Sequence, residues 1–128
     1  MKSDLSERKR GNSKECYMPK QSEDIMELES GVFNALAHPL RLKILEKLRD
    51  GPCCVCKIIP YVGAEQSNVS HHLTILKNAG IVRCQKKGLE VWYEVIDQRI
   101  FEMIDMLREC IIGNLKKKTE LLKEMARR

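Results

Sequence analysis

Three cysteines stand within four positions of this sequence, at Cys53, Cys54 and Cys56. Thiolates are soft ligands that select thiophilic ions, whereas a lone buried cysteine acts as a small apolar side chain. On a regular helix, Cys54 and Cys56 would point ~200° apart, so they converge only if the first turn is irregular, which the preceding Pro52 favours. Cys53 and Cys56 are three positions apart and converge on an intact helix. The cluster therefore indicates metal or redox chemistry.

The other cysteines are scattered. Cys16 lies in a polar N-terminal stretch, residues 1–23, which we predict to be a flexible arm because it cannot bury enough apolar surface to order itself. Cys84 and Cys110 fall in separate segments, and we expect both to be structural, with a redox role as the alternative.

Composition bounds the class of protein. The chain has 128 residues, of which 23 are basic and 18 acidic, so its net charge of +5 is compatible with a polyanionic partner. Its length fits one compact domain. We expect no membrane segment and no secretory signal, hence a cytoplasmic protein. In that compartment, six cysteines indicate metal ligands or redox thiols rather than a disulfide framework.

A predicted helix over residues 66–79 carries the second set of functional candidates. Val69, Leu73 and Leu76 share one face, Ser67 is a candidate N-cap, and Gly80 is a candidate C-terminal stop. A short helix over residues 53–62 and a turn at Gly63 precede it, which is a helix-turn-helix pattern whose second helix reads the major groove. The side chains off the apolar face are Gln66, Ser67, Asn68, Ser70, His71 and Lys77.

These side chains suit DNA. Asn and Gln can pair with adenine, and Lys77 suits phosphates. The alternative is an ordinary surface helix with a solvated polar side. His71 and His72 diverge by ~100° on a helix and cannot easily share one metal ion.

The sequence also predicts a hairpin after this helix and further helices on both sides of it. Strands are predicted at residues 81–86 and 89–96, and their hairpin carries Arg83, Lys86 and Lys87, as a wing along the DNA backbone would. Helices are predicted from residue 25, from residue 40 and from residue 98 onward. The apolar stripe on the last helix needs a partner to cover it. We predict three parts: the arm (1–23), a core domain (24–112) and a basic helical extension (113–128).

Residues 35–45, 66–73 and 76–82 resemble the ArsR/SmtB family of metal-sensing repressors; the run SNVSHHLTILKNAGIV carries the resemblance most specifically. The resemblance implies an α+β, mostly helical winged helix-turn-helix with N- and C-terminal dimerisation helices, and a homodimer on operator DNA. It assigns DNA reading to Ser67, Asn68, Ser70, His71 and His72.

The same resemblance assigns a metal role to Cys54 and Cys56, which match the family's C-x-C pair. A third thiolate from Cys53 would suit arsenite or antimonite, and Pb²⁺ could also use three, while a fourth sulfur from Cys16 in the arm would suit Cd²⁺ or Zn²⁺. The family's second metal site uses Asp and His on the last helix. We expect it to be absent because this helix has Asp105, with Asp97 just before it, but no His.

The sequence therefore predicts a repressor that is released from DNA by a thiophilic ion, and arsenite or antimonite is the first candidate for that ion. One alternative is the same repressor sensing thiol oxidation or persulfides. An enzyme is not expected, because the spacing of Cys53 and Cys56 matches a redox C-x-x-C but no strand–helix context precedes it. No organic cofactor is expected.

Overall fold

The computed structural model describes residues 21–127, with side chains from residue 24 onward. The predicted flexible arm, including Cys16, lies outside this range apart from its last residues. The order of elements confirms a mostly helical α+β fold. In chain order the elements are α1 (Gln21–Leu36), α2 (Pro39–Lys47), β1 (Cys53–Cys54), α3 (Val55–Val62), α4 (Gln66–Asn78), β2 (Val82–Lys87), β3 (Glu90–Val95) and α5 (Arg99–Ala126).

Helix α2 has a well-defined start. His38 is its N-cap, and the Nδ1 atom of His38 accepts a hydrogen bond from the backbone N–H of Leu40 at 3.1 Å. Pro39 follows in the first turn, where its missing N–H costs nothing. The helix directs its apolar face into the core, where Ile44, Leu45 and Leu48 are fully buried.

The turn between α3 and α4 depends on Gly63. Its φ is +73°, a left-handed conformation that glycine adopts without the steric cost paid by other residues. Val69, Leu73 and Leu76 of α4 are buried, as their spacing predicted. Helix α4 begins at Gln66, as predicted, but its N-cap is Glu65, which makes no side-chain cap hydrogen bond, so the assignment of Ser67 as the N-cap was wrong.

The sheet has three antiparallel strands in the order β1-β3-β2. Strand β3 pairs with β2 along a hairpin, from Val82 opposite Val95 to Lys87 opposite Glu90. Strand β1 pairs on the other side of β3, with Cys54 opposite Trp92. Assigning Cys53 and Cys54 to the short helix was therefore wrong, because their extended conformation is set by pairing with a distant strand.

Helix α5 is continuous from Arg99 to Ala126, across the boundary predicted at residue 113. Near its start, Phe101 is buried, and the guanidinium of Arg49 lies 4.8 Å from its ring centroid. Arg49 also donates to both carboxylate oxygens of Asp105 at 3.0 Å and to Glu46 at 2.8 Å. This cluster joins the segment after α2 to α5.

The chain divides into two compact units, Met1–Asn34 and Ala35–Arg128. All of the core contacts described above belong to the second unit. None of the helices between residues 21 and 127 combines the length and apolar character needed to span a bilayer.

Candidate functional site

The polar face of α4 is accessible along its first half. Its apolar side chains hold the helix on the core, which leaves the opposite face open to solvent. The predicted DNA-reading side chains that are exposed on it are Gln66, Ser67, Asn68, Ser70, His71 and, near the C-terminal end, Lys77. Together they offer amide, hydroxyl, imidazole and ammonium groups, the set that reads base edges and phosphates.

His72 lies apart from this set, because only 7% of its surface is exposed. Its Nδ1 atom lies 3.0 Å from Nη1 of Arg41, and its ring centroid is 4.4 Å from that of His38. A guanidinium only donates, so Nδ1 accepts and the proton of the neutral ring sits on Nε2. Burial lowers the pKa of His72 below its usual 6.5, and the charges of His38, Arg41 and His71 lower it further.

This arrangement fixes α4 against the start of α2. Arg41 also donates from Nε to the carbonyl of Ala35 at 2.6 Å, so its guanidinium bridges the end of α1 and the middle of α4. The signal for this packing was present in the sequence. His72 occupies the i+3 position of an i, i+3, i+4, i+7 pattern with Val69, Leu73 and Leu76.

The hairpin of β2 and β3 carries the predicted wing residues, all of them exposed. Arg83 forms an ion pair with Glu94 across the strands at 2.8 Å, so part of its charge is already matched. The ammonium of Lys87 lies 4.4 Å from the ring centroid of Trp92, and Lys86 precedes it on β2. Both lysines at the hairpin end therefore carry their charge at the surface.

Cys54 and Cys56 are brought together at the start of α3. Cys54 is the N-cap, with extended backbone angles of −69° and 141°, and its sulfur accepts a hydrogen bond from the N–H of Cys56 at 3.1 Å. Because the helix begins only after Cys54, the two side chains converge, and their sulfurs are bonded to each other across a Cα–Cα distance of 5.1 Å. The irregular start that the C-x-C spacing requires is therefore a strand-to-helix junction.

The other cysteines are placed differently. Cys53 is buried, and its sulfur lies 3.6 Å from the carbonyl oxygen of Cys54. Cys84 is exposed on β2, with its sulfur 3.8 Å from the ammonium of Lys77, and Cys110 is exposed on α5. The predictions that Cys53 or Cys16 completes the site stay predictions.

A carboxylate that the sequence analysis did not select lies beside the two sulfurs. A carboxylate oxygen of Glu90 and the sulfurs of Cys54 and Cys56 all lie within 4.8 Å of one another. Glu90 is the first residue of β3, and the pairing of Cys54 with Trp92 brings it there. No local sequence pattern predicts this, because the two-residue strand β1 has no periodicity to detect.

Two aspartates near the start of α5, Asp97 and Asp105, have arginine partners. Arg99 holds the pKa of Asp97 down to about 2 through side-chain and backbone hydrogen bonds. Arg49 likewise lowers the pKa of Asp105. Both carboxylates are therefore held in structural ion pairs. The expected absence of a second metal site on this helix stays a prediction.

An exposed polar face on the second helix of a helix-turn-helix, beside a lysine-bearing hairpin, defines a winged helix-turn-helix DNA-binding domain. Residues 38–83 match the family described as bacterial regulatory protein, arsR family. The uncharacterized HTH-type transcriptional regulator MJ1325 of Methanocaldococcus jannaschii is 44% identical over 79 residues, which cover 61% of this chain and 89% of that protein. The chain therefore belongs to the arsR family of transcriptional regulators, as its resemblance predicted.

Two further relatives extend this result. The crystal structure of Mycobacterium tuberculosis Rv0081 aligns with a TM-score of 0.69 and 31% identity, covering 77% of this chain and 99% of that one. The cadmium resistance transcriptional regulatory protein CadC homolog of Staphylococcus aureus is 35% identical over 75 residues, covering 58% of this chain and 62% of that protein. These likenesses confirm the winged fold and the class of regulator.

Proposed function

We propose that this protein is a homodimeric, cytoplasmic transcriptional repressor that leaves its operator when Cys54 and Cys56 coordinate a thiophilic ion. The observation that carries the proposal is the meeting of these two sulfurs at the start of α3. Helix α3 is followed directly by the Gly63 turn and α4. A change in ligation at the start of α3 therefore acts one helix away from the DNA-reading face.

Operator binding is assigned to the exposed face of α4 and to the hairpin lysines. Asn68 and Gln66 would read base edges, with Ser67, Ser70 and His71 beside them, and Lys77, Arg83, Lys86 and Lys87 would contact phosphates. His72 is assigned a positioning role instead, because it is buried against Arg41.

The dimer is proposed from the apolar surface of α5. Met106, Leu107, Ile111, Ile112 and Leu115 are exposed on this helix. Such a stripe on a regular helix calls for a second apolar surface, and the family resemblance assigns the first and last helices to dimerisation.

Arsenite and antimonite are the first candidates for the ion, since the cluster of Cys53, Cys54 and Cys56 provides three thiols in sequence, and Cys16 is a further source. Cd²⁺, Pb²⁺ and Zn²⁺ are the alternatives, and a relative named for cadmium resistance supports this group. In each case the thiolates must be deprotonated, so release weakens at low pH.

The test is operator release in the presence of a strong reductant. An operator sequence is selected from random duplexes by the reduced, ion-free protein, and arsenite, Cd²⁺, Pb²⁺ and Zn²⁺ are then titrated in turn. Cys54→Ser and Cys56→Ser should abolish release, while Cys110→Ser, an exposed cysteine on α5, should leave it unchanged. Linkage requires that DNA weaken ion binding by the same factor by which the ion weakens DNA binding. Release of the Cys54→Ser variant at the wild-type ion concentration contradicts the proposal.

A second function is favoured by the bond between the two sulfurs. Oxidation of the Cys54 and Cys56 thiols to a disulfide yields two protons and two electrons, which one hydrogen peroxide molecule takes up to form two waters. A thiol-redox repressor would therefore leave DNA on addition of peroxide without any ion. Polysulfide without metal tests the persulfide variant of this function in the same assay.

A further inference from the structure

We propose that Glu90 is the third protein ligand of the cysteine site, and that among the candidate ions the site consequently favours a divalent ion of the Zn²⁺ or Cd²⁺ kind over arsenite. This inference rests on the proposed function, because it uses the same two thiolates. It goes further by naming the class of ion and by adding Glu90, a ligand from the hairpin, to the C-x-C pair.

The distances favour a shared ion. A tetrahedral Zn²⁺ with bonds of about 2.3 Å to sulfur and about 2.1 Å to oxygen holds its ligand atoms roughly 3.5–3.8 Å apart. The ligand atoms of Cys54, Cys56 and Glu90 already lie within 4.8 Å of one another. Reduction of the bond between the sulfurs frees the two thiolates to separate to that spacing.

The donor chemistry selects the ion. Two thiolates and a carboxylate provide mixed sulfur and oxygen donors, a set that Zn²⁺ accepts, whereas a trivalent arsenic centre is served by three thiolates. Among the described residues, the ligand atoms grouped within 4.8 Å are those of Cys54, Cys56 and Glu90, and the sulfur of Cys53 is not one of them. Cys56 and Glu90 are exposed while Cys54 is buried, so one side of the site is open for entry of the ion and for a fourth ligand such as water.

Glu90 also links the site to the DNA-facing hairpin. It is paired with Lys87 across the hairpin end, and its carboxylate accepts a hydrogen bond from Nε1 of Trp92 at 3.1 Å. The same Trp92 ring lies under the ammonium of Lys87. An ion that holds Glu90 against the start of α3 therefore ties the end of the hairpin to α3. The wing thus becomes part of the switch.

The test compares Glu90→Gln with Glu94→Gln. Both remove one negative charge from the same strand, but Glu94 pairs with Arg83 and is not among the grouped ligands. Cd²⁺ and Zn²⁺ affinities of the reduced, full-length protein are measured without DNA, using thiolate-to-metal charge-transfer absorbance for Cd²⁺ and competition with a chelator for Zn²⁺. Glu90→Gln should weaken the Cd²⁺ and Zn²⁺ affinities by roughly 10- to 100-fold or more. Mutations of residues that only hydrogen-bond to a metal ligand already lower metal affinity by that much. Glu94→Gln should remain within about threefold of wild type, because it is not a ligand and its loss falls within the usual effect of a surface charge.

Arsenite binding, measured by competition with a dithiol, should be unchanged by Glu90→Gln. Equal Cd²⁺ affinity in Glu90→Gln and wild type, an equal loss in both variants, or no Cd²⁺ binding by the wild type would each overturn the inference. Operator release is scored separately. If wild-type protein binds Cd²⁺ through Glu90 but stays on DNA, the inference holds and the proposed function fails. If Cd²⁺ releases the wild-type protein from DNA and Glu90→Gln leaves the Cd²⁺ affinity unchanged, the proposed function holds and the inference fails.

Discussion

The two adjacent histidines of α4 should have opposite effects when each is replaced by alanine. His72 is buried and accepts a hydrogen bond from Arg41 at 3.0 Å, whereas His71 is exposed on the same helix. A hydrogen bond to a charged donor contributes roughly 1.5–3 kcal/mol, and the space left by the ring adds to the loss. We expect His72→Ala to lower the free energy of unfolding by about 3 kcal/mol. His71→Ala should change it by less than about 0.5 kcal/mol.

Urea unfolding followed by circular dichroism, at one protein concentration and pH 7.5, measures both values. Operator affinity gives the complementary result: His71→Ala should weaken binding about fivefold, equivalent to about 1 kcal/mol, through loss of a contact on the reading face. Equal stability losses in the two variants would refute the reasoning, as would wild-type stability of His72→Ala. Either result would mean that His72 does not hold α4 in place.

Three further outcomes are expected. Because the pKa of His72 is lower in the folded chain than its usual 6.5, stability should be complete above pH 6.5 and decline as pH falls below it; urea midpoints should show a smaller decline in His72→Ala. Arg49→Met should lower the urea midpoint, and the loss in the double variant with Asp105→Asn should be smaller than the sum of the two single losses; strictly additive losses would show that the ion pair contributes nothing. Lys86→Gln and Lys87→Gln should each reduce the magnitude of the slope of log operator affinity against log salt concentration by about 1. An unchanged slope would mean that the replaced lysine does not contact a phosphate.

The elements that the sequence predicted are those specified by local patterns. The apolar spacing of Val69, Leu73 and Leu76 located α4, and Gly63 located the turn before it. The hairpin was found within a residue or two at each end, since Gly88, at φ +64°, marks its turn. These signals lie within one or two turns of chain, where sequence alone is informative.

The cysteine site was only half predictable. The C-x-C spacing showed that an irregular backbone must bring Cys54 and Cys56 together, but the irregularity is the junction between β1 and α3. Strand β1 exists because it pairs with β3, and Glu90 approaches through the same pairing. Long-range strand pairing leaves no trace in so short a segment, so neither was foreseen. His72 is a different case. The spacing with Val69, Leu73 and Leu76 placed it on the buried face, but the family resemblance led us to assign it to DNA reading instead.

The hairpin also contains the chain's sole tryptophan, Trp92, hydrogen-bonded to Glu90 and stacked beneath Lys87. Indole emission responds to its immediate electrostatic surroundings. Unlabelled protein consequently carries its own fluorophore at the place where the cysteine pair, the carboxylate and the wing meet. Optical readings from it describe that neighbourhood alone, without interference from indoles elsewhere in the polypeptide.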